Sequence, residues 1–257
     1  MPLTDDGIYF EYWETSPNPH DSHAHPLTLI NGYARSMSDF RSLARSLQRA
    51  GIAVIMLDNR TTGKTTAPAP FTLPMLANDV VSVWDSLGIS KAHVLGISMG
   101  GAIAMTVAVR HPQRVAKLVL VSSFSQRSYE AHTDTEEELE QVRTRIINSV
   151  APCFYQKNKP LMHALAKQAA AQICAGTHRP QTQALHNYNA SQQLADVRCP
   201  TLIIHGDKDN IVPQQEAESL ATSINAAKLV IIKEAGHMLL MEKHSALLAE
   251  VVNFIKS

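Results

Sequence analysis

The sequence predicts an α/β fold, a mostly parallel central sheet flanked by helices on both faces and interrupted by a helical insertion. Three observations predict it. Short apolar runs bounded by turn residues alternate with stretches whose apolar residues recur at helical spacing, the beat of a layered α/β protein. Several of those runs are apolar at every position, as strands covered on both faces are. The beat stops between roughly residues 124 and 195, where helical stripes replace strands, and then resumes. Residues 1–123 and 196–257 therefore read as one core, and residues 124–195 as a helical cap inserted into it.

In chain order, residues 8–13 alternate weakly and are rich in aromatics, which predicts a half-buried edge strand. "PLTLIN" from Pro26 is a buried strand. From Ser38, Phe40, Leu43, Ala44 and Leu47 make an amphipathic helix, with Arg41, Arg45 and Arg49 on its other faces and Gly51 as its stop. Ile52 to Asp58 is a continuously apolar strand, ended by the polar "NRTTGKTTAPAP". Leu76, Val80, Val83 and Leu87 mark a helix, "KAHVLG" a strand, residues 99–110 a helix and "VAKLVLVSS" a further strand.

In the insertion, Thr135 followed by Glu138 forms a capping box, and Leu139, Val142, Ile146 and Val150 continue as one stripe. Leu161, Leu165, Ala169 and Ile173 predict a second helix there. The core resumes with the strand "CPTLIIHG", a helix from about Pro213, the strand "KLVIIKE", and a closing helix carrying Leu247, Leu248, Val251, Val252 and Ile255.

Composition narrows the partners. Lys plus Arg equal Asp plus Glu at 23 each in a chain of 257 residues, so no long-range field favours nucleic acid or an anionic membrane. A small, roughly neutral molecule fits better. Cys153, Cys174 and Cys199 are widely spaced and form no CxxC pair, which argues against a disulfide framework and a structural zinc site. The N-terminus has acids where a signal peptide needs basic and apolar residues, and no segment has the length of a membrane span. The expected location is the cytoplasm.

The chemistry centres on "KAHVLGISMGGAIAM". Gly96, Ile97, Ser98, Met99 and Gly100 fall where a strand gives way to a helix. A serine hydroxyl is a weak nucleophile unless it is exposed to substrate and a base takes its proton. A tight strand-to-helix turn supplies the exposure, and glycines two positions either side keep Cβ atoms out of the bend. The helix that follows aims its N-terminus at the same spot, so the Met99 amide can donate to an oxyanion. Such a serine needs an acid and a histidine later in the chain, each just after a strand. "LIIHGDKDNIVP" offers Asp207 and Asp209, and "VIIKEAGHMLLMEK" offers His237.

On these motifs nearly the entire chain resembles the α/β-hydrolase family. The resemblance implies a Ser98, Asp209, His237 triad, because the family's acid falls in a GxxDxxxP arrangement that Gly206, Asp209 and Pro213 match. Asp207 then reads as a turn former, and His205 and His244 as structural histidines. The resemblance also implies a second backbone oxyanion donor in "INGYARSMSDF". Asn31 stands where the family usually has histidine, and Gly32 is kept. Tyr33 or Ala34 could supply the donor, and Tyr33 is chosen. In "LDNRTTGKT", Thr61 stands where similar proteins often have glycine, and that loop reads as packing.

Asn31, Gly32 and Met238 are expected to line the substrate pocket. Met99, Met238 and Met241 flank the supposed catalytic residues and read equally as pocket or core. His20, Asp21, His23 and His25 lie close together but read as a polar loop, so no metal and no cofactor is expected. The acidic run Glu136 to Glu140 reads as a solvated face. The resemblance implies hydrolysis of a small acyl compound, a carboxylic ester first, with thioesters, lactones and carbon-carbon bonds as alternatives. A ligand-binding receptor or signalling protein on the same fold is the competing class, and oligomeric state is left open.

Overall fold

The computed structural model describes residues 2–15, 25–127, 135–174, 178–186 and 188–257, with positions 138 and 172–174 described for the backbone alone. Strands β1 (Phe10–Trp13) and β2 (Leu27–Ile30) precede helix α1 (Arg41–Arg49) and strand β3 (Val54–Leu57). Helix α2 (Leu73–Ser86), strand β4 (Ala92–Ile97), helix α3 (Met99–Arg110) and strand β5 (Val115–Val121) follow. The short strands β6 (Gln126–Arg127) and β7 (Tyr188–Asn189) bracket helices α4 (Glu136–Ile147), α5 (Pro152–Lys157), α6 (Lys159–Cys174) and α7 (Arg179–Leu185). Strand β8 (Thr201–Gly206), helix α8 (Gln214–Ser223), strand β9 (Ala227–Ile232), and helices α9 (Leu239–Glu242) and α10 (His244–Lys256) complete the chain.

The main sheet has the order β1-β3-β2-β4-β5-β8-β9. Only the edge pair β1 and β3 is antiparallel; every other neighbouring pair is parallel. Period-two geometry divides each strand between two cores. Leu27, Leu29, Val54, Met56, Leu95, Leu202 and Ile204 pack with α1 and α10 through Leu43, Leu47, Leu247 and Val251. Ile30, Ile55, Val94, Leu118, Leu120 and Ile203 face α2, α3 and α8 through Val80, Ile103 and Leu220. The continuously apolar runs are thus covered on both sides, as parallel strands must be.

Element ends differ from the sequence expectation by a residue or two. Met37–Phe40 winds as a 3-10 turn before α1, and the strand expected over 52–58 pairs only over Val54–Leu57. The larger difference lies in α6. Its buried face is Met162, Ala166 and Ala170, while Leu161 is 44% exposed, so the stripe sits one position on from the expected one. The reason is packing against α4, where Ala169 and Ala170 join Leu139 and Val142 in a small cluster of their own. Alanines admit a close helix approach that a leucine-led stripe would not. The Thr135 to Glu138 capping box and the Ile173 side chain lie outside what is described.

The loop after β3 is a packing device. Arg60 donates twice to the buried Asp79 carboxylate, at 2.8 Å from Nε and 2.8 Å from Nη2. Thr61 has φ 65°, the left-handed region that glycine adopts freely and a β-branched residue rarely enters. Its hydroxyl donates to the Arg60 carbonyl at 2.6 Å, which holds the unfavourable turn. Of the acidic run, Glu136, Glu137 and Glu140 are exposed as expected, and Glu136 and Glu140 share Arg143 at 2.9 and 3.0 Å.

Candidate active site

Ser98 sits between β4 and α3 with φ 55° and ψ −118°, a conformation a non-glycine residue holds only when its surroundings impose it. The imposing groups are backbone. The Ser98 amide donates to Val121 O at 2.9 Å, and its carbonyl accepts from Gly101 N at 2.8 Å as α3 begins. A Cβ on Gly96 would strike the Gly100 carbonyl, and a Cβ on Gly100 would strike Ile30 O. The glycines are what let strand, turn and helix meet this closely.

Asp209 follows β8 and His237 follows β9, neighbouring parallel strands that end on the same side of the sheet. His237 Nδ1 lies 2.8 Å from Asp209 Oδ2. With the carboxylate as acceptor, Nδ1 carries the proton and Nε2 is the ring's proton acceptor. Asp209 Oδ1 accepts from the amides of Ile211 and Val212, both at 2.8 Å. Burial by itself would raise the Asp209 carboxyl; the His237 hydrogen bond and charge and the Val212 amide outweigh it and hold it below the ordinary range.

No hydrogen bond or ion pair joins Asp207 to His237. Asp207 Oδ1 accepts the Ala235 amide at 3.4 Å and its Oδ2 faces Lys233 at 3.8 Å, the contacts of a turn residue. His205 lies wholly buried behind Asp209, with Nε2 3.0 Å from Val212 O and 3.5 Å from Asp209 Oδ2. Burial drives its pKa down, the Asp209 charge opposing. His244 meets Ser46 Oγ at 3.4 Å.

Ser98 and His237 open onto one cavity of about 380 Å³. No hydrogen bond joins the two side chains; such bonds are often long before substrate binds. Asn31, Gly32, Tyr33 and Met238 line the same cavity, as does Met241, whereas Met99 is 1% exposed and belongs to the core. Asn31 ties its own loop: Nδ2 donates to Ser36 O at 2.6 Å and Oδ1 accepts the Gly32 amide at 2.8 Å. The Ala34 amide is taken by Gln181 Oε1 at 2.8 Å, which removes Ala34 from the two candidate oxyanion donors.

A family model described as Serine aminopeptidase, S33 matches residues 21–244. The chain belongs to the α/β-hydrolase family. The protein named "Putative carbamate hydrolase RutD" of Caulobacter sp. (strain K31) is 28% identical over 219 residues, 79% of this chain and 80% of that protein. The enol-lactonase of Burkholderia xenovorans LB400 shares the fold, with a TM-score of 0.83 at 21% identity over 97% of this chain and 96% of its own. Est816, titled an N-acyl homoserine lactone degrading enzyme, does so with a TM-score of 0.81 at 22% identity, covering 96% of each chain.

Several residues of this α/β hydrolase's site escape sequence reasoning. From the helical insertion, Gln181 and Thr182 hold the Tyr33 loop, Thr182 through the Tyr33 hydroxyl at 2.6 Å, and the Ser149 carbonyl accepts the His237 amide at 2.7 Å. Glu242 accepts three backbone amides beside the histidine. None of these carries a motif. The Arg35 to Asp39 pair at the cavity, 2.6 Å, was open to discovery from its four-residue spacing alone. Arg145 and Ile146 of α4 also line the cavity, on its insertion side. Among the described residues no cluster of three or more His, Cys, Asp or Glu could hold a metal, and His20, Asp21 and His23 lie outside them. No helix among those residues is long and apolar enough to cross a membrane.

Proposed function

We propose that this protein is a serine hydrolase that cleaves a small acyl compound, a carboxylic ester with lactones included, through Ser98, His237 and Asp209. The observation that carries the reading is the 2.8 Å contact from Asp209 to His237 at the cavity that also holds the positive-φ Ser98.

In this reading His237 Nε2 takes the Ser98 proton as Oγ attacks the acyl carbonyl. Asp209 keeps the imidazole in the tautomer that can accept it and stabilises the imidazolium that forms. The tetrahedral oxyanion is met by the Met99 amide, at the first position of α3, and by the Tyr33 amide. The imidazolium returns its proton to the leaving alkoxide. Water, deprotonated by the same imidazole, then attacks the acyl-enzyme, and the carboxylic acid leaves with Oγ reprotonated.

The cavity supports a small substrate, since about 380 Å³ is near the lower end of the range for ligand pockets. Its lining includes the apolar side chains of Ile97, Ile146, Leu240 and Met241, which suit an acyl chain. The helices between β5 and β8 act as the cap that sets which chains fit.

Ser98→Ala is the direct test. It should abolish hydrolysis of p-nitrophenyl acetate and labelling by a fluorophosphonate, with the fold retained. Hydrolysis at the parent rate by that variant would sink the assignment. A parent that turns over no ester, thioester or lactone yet binds one tightly would favour the receptor reading.

A further inference from the structure

His237 rides on the turn between β9 and α9, and the main chain of that turn is fastened at every amide around the ring. Gly236 N donates to Glu242 Oε2 at 3.0 Å and Met238 N to Glu242 Oε1 at 3.2 Å. Between them, His237 N donates to Ser149 O at 2.7 Å. A third amide reaches the same carboxylate from the insertion: Ala151 N donates to Glu242 Oε2 at 2.7 Å. One side chain thus joins the residues on either side of His237 to the segment after α4.

The contact is tight. A Cβ on Gly236 would lie 2.7 Å from both Ser149 O and Ala151 N, so the two backbones touch with no side chain between them. Burial pushes the Glu242 carboxyl up, against the pull of its three amides, and the nearby charge of Asp209 pushes the same way. A half-buried acid held under that load is costly unless its place is needed, and its removal leaves three amides seeking acceptors.

We propose that Glu242 is a positioning residue for His237, its carboxylate locking the histidine turn to the helical insertion so that the imidazole's reach to Ser98 depends on it. The proposal rests on the reading of His237 as the general base. A proton transfer is sensitive to small displacements of the base, whereas the apolar contacts that Met238, Leu240 and Met241 of the same segment offer in the cavity tolerate them, so the effect falls mainly on turnover.

The test compares the parent with Glu242→Ala, Glu242→Gln and Gly236→Ala, each assayed on p-nitrophenyl acetate well below its own melting midpoint. Glu242→Ala should lower kcat by roughly 30-fold with KM within about twofold. Glu242→Gln keeps the size and one acceptor oxygen, and should recover part of that loss. Gly236→Ala, which forces the two backbones apart, should resemble Glu242→Ala. In proton NMR, the low-field signal of the His237 Nδ1 proton should broaden or shift in Glu242→Ala, which simple loss of stability would not cause in a folded sample. If Glu242→Ala does not fold, the other two variants decide by the same readouts.

Parent-like kcat with an unchanged proton signal in the folded variants would overturn the proposal. A parent that hydrolyses nothing would defeat the functional reading instead, and the proton signal alone would then decide for or against Glu242.

Discussion

Gln181, wholly buried on α7, reaches across 147 positions of sequence to accept the Ala34 amide at 2.8 Å, and its Nε2 donates to the Arg60 carbonyl at 3.0 Å. One side chain from the insertion therefore ties the loop that carries Tyr33 to the loop after β3. The insertion braces the site from this side as Ser149 and Ala151 brace it at the histidine.

Replacing Gln181 with leucine keeps the bulk and removes both bonds. The Tyr33 amide should lose its fixed direction, and kcat should fall on the order of tenfold, about 1.4 kcal/mol of barrier. The unpaired Ala34 amide should cost about 1–3 kcal/mol of stability as well. Steady-state kinetics and urea denaturation measure the two effects, and a variant with parent kcat would remove Gln181 from the account.

Ile146 lines the cavity from α4. Ile146→Phe should move preference toward shorter acyl chains and Ile146→Ala toward longer ones, by roughly the 10- to 200-fold that one methylene is worth. The ratio of kcat/KM for p-nitrophenyl acetate and hexanoate reports this, with fluorophosphonate labelling retained in both. Unchanged ratios would place the acyl chain elsewhere.

The Arg60 and Asp79 pair is nearly dry, with side-chain exposures of 9% and 6%. Burial raises the Asp79 carboxyl against the pull of the arginine, while the Asp79 hydrogen bond raises the Arg60 guanidinium, so removing one partner leaves the other charge buried and unpaired. Asp79→Ala strands the guanidinium and should cost about 3–5 kcal/mol in urea unfolding. The double variant Arg60→Met, Asp79→Leu should recover most of it. A loss below about 1 kcal/mol for the single variant would show that the loop holds without the pair.

His93 on β4 is buried, its Nδ1 finds no hydrogen-bond partner, and its pKa is lowered to about 4, by burial first and then by His25, Lys117 and Lys91. The unfolded chain then binds a proton that the folded chain refuses between the unperturbed value near 6.5 and about 4. Stability should fall as pH drops through that window, by on the order of 3 kcal/mol from this residue, and level off below it. In His93→Leu that part of the slope should vanish, as urea midpoints at pH 7 and pH 4.5 would reveal. An equal slope in both proteins would show that other groups carry the acid sensitivity.

Strand and helix order, the turn that holds Ser98, and the acid and histidine after two late strands can all be seen in the chain, because each depends on local spacing. Apolar periodicity and glycine placement act within a few residues, and they make the same demand wherever the segment ends up. The face of α6 was missed by one position because its alanines pack on α4, and a stripe read along one helix carries no knowledge of its neighbour.

Only the folded chain decides that Ala34 gives its amide away, and that Gln181 and Glu242 brace the loops that carry Tyr33 and His237. Those contacts join backbone amides to side chains across long stretches of sequence. An amide has no residue identity to read, so its partner emerges only when the layers close.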